Sequence, residues 1–139
     1  MGFASQVVSQ SARFYETACN RAEGAELKRV LKVLWDEALI DEATMEQARR
    51  EYVTEMILEP IAGLRREDYE VRMEDLTPGT DAEALKTALL LEERDQRFFQ
   101  DSAARLPLPE VARLFRKAAR RKGENVAKLR ALANREAAR

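Results

Sequence analysis

The chain contains no histidine and a single cysteine, Cys19. One cysteine excludes an internal disulfide and any metal site that needs several thiolates. Without histidine, a Ser-His-Asp triad and every metal site built on imidazole ligands are excluded as well. We expect Cys19 to be a small buried apolar residue, because a free cysteine behaves as one.

Long apolar runs are also absent. No stretch approaches the roughly 18 apolar residues that a membrane-spanning helix needs. The first residues lack the charged and apolar segments of a secretion signal. We therefore expect a cytoplasmic protein without a membrane partner.

Charge is abundant but nearly balanced, with 35% charged residues and a net charge of −1. The acids outnumber the bases over residues 36–81, whereas residues 109–139 carry ten Lys/Arg against three Glu. We predict that acidic and basic helices pack as neighbours, and a basic face for a polyanion is the alternative. No nucleic-acid-binding module is recognisable, so we do not expect nucleic acid as a partner.

Sparse glycine and proline divide the chain into helical segments. Helix 1 covers residues 4–22 and is broken by Gly24, and helix 2 runs from residue 25 to about 59, where Pro60 prevents continuation. Apolar residues recur every three or four positions through each segment, as on the buried face of an amphipathic helix. We predict one all-α domain over residues 1–139.

The second half of the chain repeats this organisation. Thr80 and Glu83 form a capping box that opens helix 3. Pro107 ends that helix, and Pro109 opens helix 4 in a first-turn position that suits proline. The connection over residues 60–79 is too long for a turn between helices. We expect it to be a crossover that runs the length of the bundle between helices 2 and 3.

An internal repeat relates the two halves. Residues 14–41 realign without a gap on residues 98–125, at a constant offset of 84 (98 − 14). Each copy is a helical hairpin, at about residues 4–59 and 80–135. We predict a four-helix bundle made from two duplicated hairpins, an arrangement that is typical of bundles holding two metal ions. Matched pairs include Phe14 with Phe98, Tyr15 with Phe99, and Leu27 with Val111.

Polar residues interrupt the apolar faces near mid-bundle. They are Asp41, Glu92, Lys122 and Asn125. The offset brings them to one level, because it matches Val8 with Glu92, Ala38 with Lys122, and Asp41 with Asn125. Polar groups on a core face are costly unless they are paired. We hypothesise that the Lys122 ammonium pairs with Glu92 and Asp41, while Asn125 satisfies the remaining lone pairs.

The aromatic pairs, the hairpin length and the duplication resemble the ferritin-like rubrerythrin family. The resemblance implies a ferritin-like bundle around a di-iron centre, with one glutamate from the first helix of each repeat and a Glu-x-x-His from the second. Of the corresponding positions, only Glu92 keeps the residue of the family. The six corresponding positions are Val8, Ala38, Asp41, Glu92, Lys122 and Asn125.

These replacements change the function that the resemblance implies. We expect a degenerate rubrerythrin-like domain that has lost di-iron binding, carries no cofactor or catalytic residue, and acts as a structural, dimerising or partner-binding module. Helix 2 carries apolar residues on more than one face, which favours a homodimer or another protein partner. These residues are Val33, Trp35, Leu39 and Ile40.

A metal-binding oxidoreductase or a metal-storage protein is the alternative. Glu37, Asp41, Glu92 and Glu124 offer oxygen ligands, which suit magnesium, calcium or manganese better than iron. The cofactor of such a relative would be iron or manganese, although Lys122 would repel a cation. No other catalytic constellation is visible, so the sequence leaves open whether the protein is an enzyme.

Overall fold

A computed structural model describes residues 3–51, 66–71, 79–106 and 108–137. These residues form four α-helices and one short 3-10 helix, and they contain no strand. The prediction of an all-α fold with four helices is therefore confirmed. The elements are α1 (Phe3–Arg21), α2 (Ala25–Glu51), the 3-10 helix (Arg66–Tyr69), α3 (Asp81–Arg105) and α4 (Pro109–Ala137).

The helix ends follow the local signals in the sequence. The Thr80 hydroxyl accepts a hydrogen bond from the backbone N–H of Glu83 at 3.1 Å, as the capping box predicts. The Glu83 carboxylate accepts a hydrogen bond from the backbone N–H of Gly79 at 2.9 Å. The capping box predicts the N–H of Thr80 as the donor, so the observed donor lies one residue earlier. The predicted end of helix 2 near residue 59 and most of the connection lie outside the described residues.

Neighbouring helices run antiparallel around the bundle. Ser9 near the start of α1 donates to Glu42 near the end of α2 at 2.9 Å. Glu26 at the start of α2 pairs with Arg135 at the end of α4 at 2.5 Å. α3 packs against α4 to form the second hairpin, and it also contacts α1.

α3 begins at the end of the bundle where α1 finishes. The Asp81 carboxylate accepts hydrogen bonds from the backbone N–H of Glu23 at 3.0 Å and of Gly24 at 2.8 Å. A Cβ atom at position 24 would lie 3.1 Å from Oδ2 of Asp81, so glycine permits this close approach. Further along the helices, Ser11 bonds to Asp95 at 2.6 Å, which makes α1 and α3 antiparallel.

A polar layer divides the apolar core into two clusters. Along α2, Asp41 separates Ala38 of one cluster from Met45 of the other. Along α4, Lys122 separates Ala119 from Leu129 in the same way. The spacing of three and four residues from Val111 predicts that both Leu114 and Phe115 of α4 are buried, and this prediction is wrong for Leu114. Leu114 is 42% exposed, since Phe115 takes the buried place at that turn.

The 66–71 segment lies along the middle of α1 and α3. The Tyr69 hydroxyl bonds to Asp101 of α3 at 2.5 Å, and the side chain of Gln10 donates to the carbonyl of Val71 at 3.2 Å. Arg94 of α3 donates to the carbonyl of Tyr69 at 3.2 Å. These contacts fix the segment against the α1–α3 side of the bundle.

Candidate functional site

Lys122 lies at the centre of the polar layer and is 1% exposed. Its Nζ atom is 3.0 Å from Oδ2 of Asp41 and 3.3 Å from Oε2 of Glu92. α2, α3 and α4 each contribute one of these three side chains, and both carboxylates are buried as well. The predicted pairing of Lys122 with Glu92 and Asp41 is therefore confirmed.

Both carboxylate oxygens of Glu92 have partners. Oε1 accepts a hydrogen bond from the Asn125 amide at 2.8 Å, which confirms the predicted role of Asn125. Oε2 accepts one from the Tyr15 hydroxyl at 2.8 Å, in addition to the contact with Lys122. Burial raises the pKa of Glu92 above its ordinary value, and the Lys122 charge and these hydrogen bonds only partly oppose the rise.

The polar layer extends outward through Arg121 and Glu37. Arg121 donates a hydrogen bond to Asp41, and its Nε atom lies 3.7 Å from Oε1 of Glu37. The Asn125 amide donates to the same Glu37 oxygen at 2.7 Å. The layer thus contains three carboxylates and two cations. It extends from Glu92, which is buried in the core, to Glu37, which is half-buried at the edge of the bundle.

Lys122 and Tyr15 keep their protons in this environment. Burial by itself lowers the pKa of Lys122, but the carboxylates of Glu92, Asp41 and Asp95 outweigh it and raise the pKa above its ordinary value. Burial, reinforced by the charges of Glu92 and Asp95, raises the pKa of Tyr15 as well. A charged lysine and a neutral tyrosine are poor nucleophiles. Both side chains act here as hydrogen-bond donors to Glu92.

A second buried polar cluster centres on Arg94, which is 2% exposed. Its guanidinium donates to the carbonyl of Val7 at 3.0 Å and to the Ser11 hydroxyl at 3.0 Å, and it also donates to Gln10. Nε donates to Asp95 at 2.8 Å. Together with its bond to the 66–71 segment, Arg94 ties α1, α3 and the connection into one unit.

Arg94, Asp95 and the role of Tyr15 are not among the residues predicted from the sequence. The period of three and four residues points Glu92 and Gln96 inward and leaves Arg94 and Asp95 off the predicted face. The 84-residue offset was the available signal, because it matches Ser11 on the buried face of α1 with Asp95.

The positions that correspond to the iron ligands of the rubrerythrin family do not fit a di-iron centre. Val8 and Ala38 are buried at 3% and 1% exposure and offer no ligand atom. Lys122 and Asn125 present hydrogen-bond donors where the resemblance implies ligands. Over the described ranges, no group of three or more Asp, Glu, His or Cys side chains is arranged to hold a metal ion.

The alternative carboxylate set is brought together only in part. Glu37 and Glu92 share the Asn125 amide, and Asp41 shares Lys122 with Glu92. Glu124 is exposed on α4. Three of the four carboxylates thus line one layer, with an ammonium group among them.

The structure also bears on the predictions for Cys19 and for the uneven charge. Cys19 is buried at 6% exposure, as predicted. The ion pairs of Arg121 with Glu37 and Asp41 join the basic helix α4 to the acidic part of α2, as the uneven charge predicts. Residues 113–120 of α4 include four exposed cations with no acidic residue between them in the sequence. These are Arg113, Arg116, Lys117 and Arg120.

No family model, curated protein or solved structure matches the chain. Among the helices of the described segments, none has the length and apolar character to cross a membrane. The polar layer and the helix surfaces are therefore the basis for assigning a function.

Proposed function

We propose that this protein is a metal-free, ferritin-like bundle that serves as a structural, partner-binding module. In this proposal the Lys122 ammonium takes the place of a metal ion between carboxylates. The observation that carries it is the buried pairing of Lys122 with Glu92 and Asp41, at 3.3 and 3.0 Å. The protein acts through the surfaces of its helices and not through catalysis at its centre.

Contacts across the centre of the bundle support the proposed duplication. Three pairs in contact are each separated by the offset of the repeat, 84 residues. Residues related by a twofold axis can touch each other only beside that axis. The pairs are Gln10 with Arg94, Ser11 with Asp95, and Glu37 with Arg121.

Two further contacts in the polar layer are related to each other by the same offset. Arg121 bonds to Asp41, and Asn125 bonds to Glu37. Adding 84 to Asp41 gives Asn125, and adding 84 to Glu37 gives Arg121. Each hydrogen bond is therefore the counterpart of the other, which favours an internal twofold axis through the layer.

The direction of the helices supports the proposed crossover. α2 starts near Gly24 and runs away from it, whereas α3 begins beside Gly24. The last described turn of α2 and the first turn of α3 therefore lie at opposite ends of the bundle, as a crossover requires. The 66–71 segment, which is between them in sequence, packs along α1 and α3.

The charge of Lys122 explains how such a centre persists without metal. Two carboxylates in a dry core repel each other, and a nearby cation relieves the repulsion. Lysine supplies that positive charge from within the chain. Buried ion pairs often add little net stability compared with apolar packing, so the gain is in fixing the register of the helices.

Metal analysis of purified, untagged protein tests the proposal. We expect less than about a tenth of an equivalent of metal before and after anaerobic loading with Fe(II) or Mn(II). Glu92→Ala removes the central carboxylate, and Glu93→Ala on the outer side of α3 is the matched control. One or two bound equivalents that are lost in Glu92→Ala but kept in the control would overturn the metal-free assignment.

That outcome would support the second candidate function, a metal-binding oxidoreductase or storage protein. The observation in its favour is that Glu37, Asp41 and Glu92 lie around one layer. Cation binding there would have to displace the Lys122 ammonium. Metal loading would then lower the pKa of Lys122, which NMR of the lysine side chain measures.

A further inference from the structure

The outer face of α4 concentrates positive charge over about two turns. Its four exposed cations follow the spacing i, i+3, i+4 and i+7, so they project from one side of the helix, opposite the buried core face. Within the part of the chain that the structure describes, none of the four takes part in an ion pair. We call these residues the α4 cation stripe, and they are Arg113, Arg116, Lys117 and Arg120.

The spacing of the α4 cation stripe brings like charges together. Arg113 is followed by Arg116 three residues later and by Lys117 four residues later. Arg120 stands at the same two spacings from Lys117 and Arg116. Like charges at these separations destabilise a helix. The stripe lies in the N-terminal half of α4, whereas the helix dipole favours cations at the C-terminal end. The fold alone therefore does not stabilise these charges, and an anion from outside the chain would.

Along α4, the acidic residues nearest to the stripe stand at its two ends. Glu110 lies one turn before the first cation, and Glu124 lies one turn after the last. Arg116 and Lys117 in the middle have no acidic residue three or four positions away on either side. The stripe thus keeps an excess of positive charge, with four cations against two flanking acids.

The neighbouring helices do not neutralise the stripe. The edge of α3 toward α4 is marked by Gln96, whose side chain lies against α4. Further along that edge are Gln100 and Ala104, which carry no charge. On the facing edge of α2, Asp41 already pairs with two other cations of α4. Thr44, about one turn further along α2, is uncharged.

The surroundings of the stripe indicate the class of anion. Leu114 borders the stripe and is 42% exposed, but a helix that lies on a membrane needs a broad apolar face. Sites for single-stranded nucleic acid combine basic residues with aromatic side chains on which bases stack. Among the described residues, the strongly exposed large apolar side chains are all aliphatic. They are Val33, Leu39, Ile40, Leu90 and Leu114.

From these features we propose that the α4 cation stripe binds an acidic segment of a partner protein. This inference rests on the proposed function and names the chemistry of the partner. The stripe extends about 10 Å along the helix axis, from Arg113 to Arg120. A partner helix with Asp or Glu at the same spacing sets its carboxylates against the cations, and an apolar side chain beside them covers Leu114.

The residue types of the stripe suit carboxylates. Three of the four cations are arginines, whose planar fork binds a carboxylate through two parallel hydrogen bonds. Each exposed ion pair contributes little by itself, so the affinity depends on several pairs together with the contact at Leu114. Binding of this kind weakens as salt screens the exposed charges.

Fluorescence anisotropy with a labelled peptide tests the surface. The probe is an alanine-rich helical peptide that carries four glutamates at the spacing i, i+3, i+4 and i+7, with one leucine beside them. It is titrated with the full chain. We expect binding at low salt that weakens as salt is added. The same peptide with glutamine in place of each glutamate should not bind.

Charge reversal locates the binding surface. We expect Arg116→Glu with Arg120→Glu to raise the Kd for the peptide by about tenfold or more. Lys28→Glu with Arg29→Glu is the matched control, because it makes the same change in net charge at two exposed cations of α2. We expect the control to stay close to the wild-type Kd.

Three results would overturn the proposal. The first is that the glutamate peptide does not bind the wild-type chain at low salt. The second is an equal loss of affinity in the stripe variant and the control. The third is a DNA duplex or a phosphatidylserine vesicle that binds more tightly than the peptide and loses that binding only in the stripe variant, since the stripe would then recognise phosphate.

Circular dichroism of each variant verifies that its helices are retained, so that unfolding is not mistaken for loss of binding. If charge reversal unfolds the chain, Arg116→Gln with Arg120→Gln removes the same charges without reversing them. Lys28→Gln with Arg29→Gln is then the control.

The acidic partner and the metal-free assignment fail separately. A chain that binds neither metal nor the peptide would remove the acidic partner and leave the metal-free bundle in place. A chain that binds stoichiometric metal at Glu92 and still binds the peptide through the stripe would do the reverse.

Discussion

At the scale of single residues, Lys122 supplies the buried positive charge between Glu92 and Asp41. Methionine at this position keeps the length and the packing but leaves Glu92 and Asp41 without their buried cation. Removing one member of a buried ion pair typically costs about 3–5 kcal/mol. We expect Lys122→Met to lower the free energy of unfolding by that amount in urea denaturation.

Lys128→Met is the control for this substitution, since Lys128 is exposed on the same helix. Glu92→Gln combined with Lys122→Met removes both charges and should recover part of the lost stability. If Lys122→Met costs no more than Lys128→Met, the buried pairing does not stabilise the fold.

Glu92 gives the stability of the protein a dependence on pH. Burial raises its pKa above the ordinary value of 4.5, so the folded state binds the proton more tightly than the unfolded chain does. The contribution of Glu92 to stability is then complete below about pH 4.5 and declines as the pH rises through the folded-state pKa. We expect the stability of Glu92→Gln relative to wild type to increase as the pH rises from about 4.5 through the folded-state pKa of Glu92.

Urea titrations at several pH values measure this difference, and the ¹³C signal of the Glu92 carboxyl reports the titration directly. Glu93→Gln is the matched control, because Glu93 pairs with Arg130 at the surface and not in the core. A midpoint for Glu92 below 4.5 would contradict the expected direction.

At the scale of elements, Arg94 is the main polar link between α1, α3 and the 66–71 segment. Lysine keeps the charge but lacks the branched donors that reach Val7, Ser11 and Tyr69 together. Leaving buried acceptors without a donor costs about 1–3 kcal/mol. We expect Arg94→Lys to lower stability by that amount and to speed amide hydrogen exchange at residues 69–71.

Hydrogen exchange followed by mass spectrometry measures this effect. The control is Arg105→Lys, since Arg105 is exposed and donates to a carbonyl of its own helix, that of Asp101, at 3.1 Å. Equal exchange rates in the two variants would mean that Arg94 does not hold the segment in place.

The elements themselves could be predicted from local signals in the sequence. Thr80 and Pro109 mark the starts of α3 and α4 because capping and first-turn preferences act over only a few residues. Lys122 and Asn125 were found because they interrupt an apolar period. Arg94 and Asp95 could not be found in this way, since each helix of a bundle touches two neighbours and buries a face wider than one stripe.

The exposure of Leu114 has a related cause. In α4, Val111 and Phe115 are four residues apart and both face the core, so Leu114 between them is turned toward solvent. Apolar character alone does not distinguish Leu114 from Phe115. The phase of the whole helix decides, and that phase is set by packing against α3.

At the scale of the whole molecule, the polar layer and the Arg94 cluster connect the two hairpins. We expect them to unfold together, because contacts across the layer are lost when either hairpin opens. Trp35 is the only tryptophan of the chain and lies in the first hairpin, whereas far-UV circular dichroism reports the helices of both. The two signals should give one urea midpoint.

A lower midpoint for Trp35 fluorescence than for circular dichroism would contradict this expectation. Thermal unfolding offers an independent check, since a calorimetric enthalpy equal to the van't Hoff enthalpy indicates a single cooperative transition.

Each of the three contacts between residues 84 positions apart joins two different residue types. If identical hairpins associated about an axis, each residue beside it would meet its own duplicate, arginine against arginine. Here Arg94 meets Gln10, Asp95 meets Ser11, and Arg121 meets Glu37. Because the residues that meet across the centre differ in size and charge, we expect each separated hairpin to bind the other hairpin more tightly than it binds a second copy of itself.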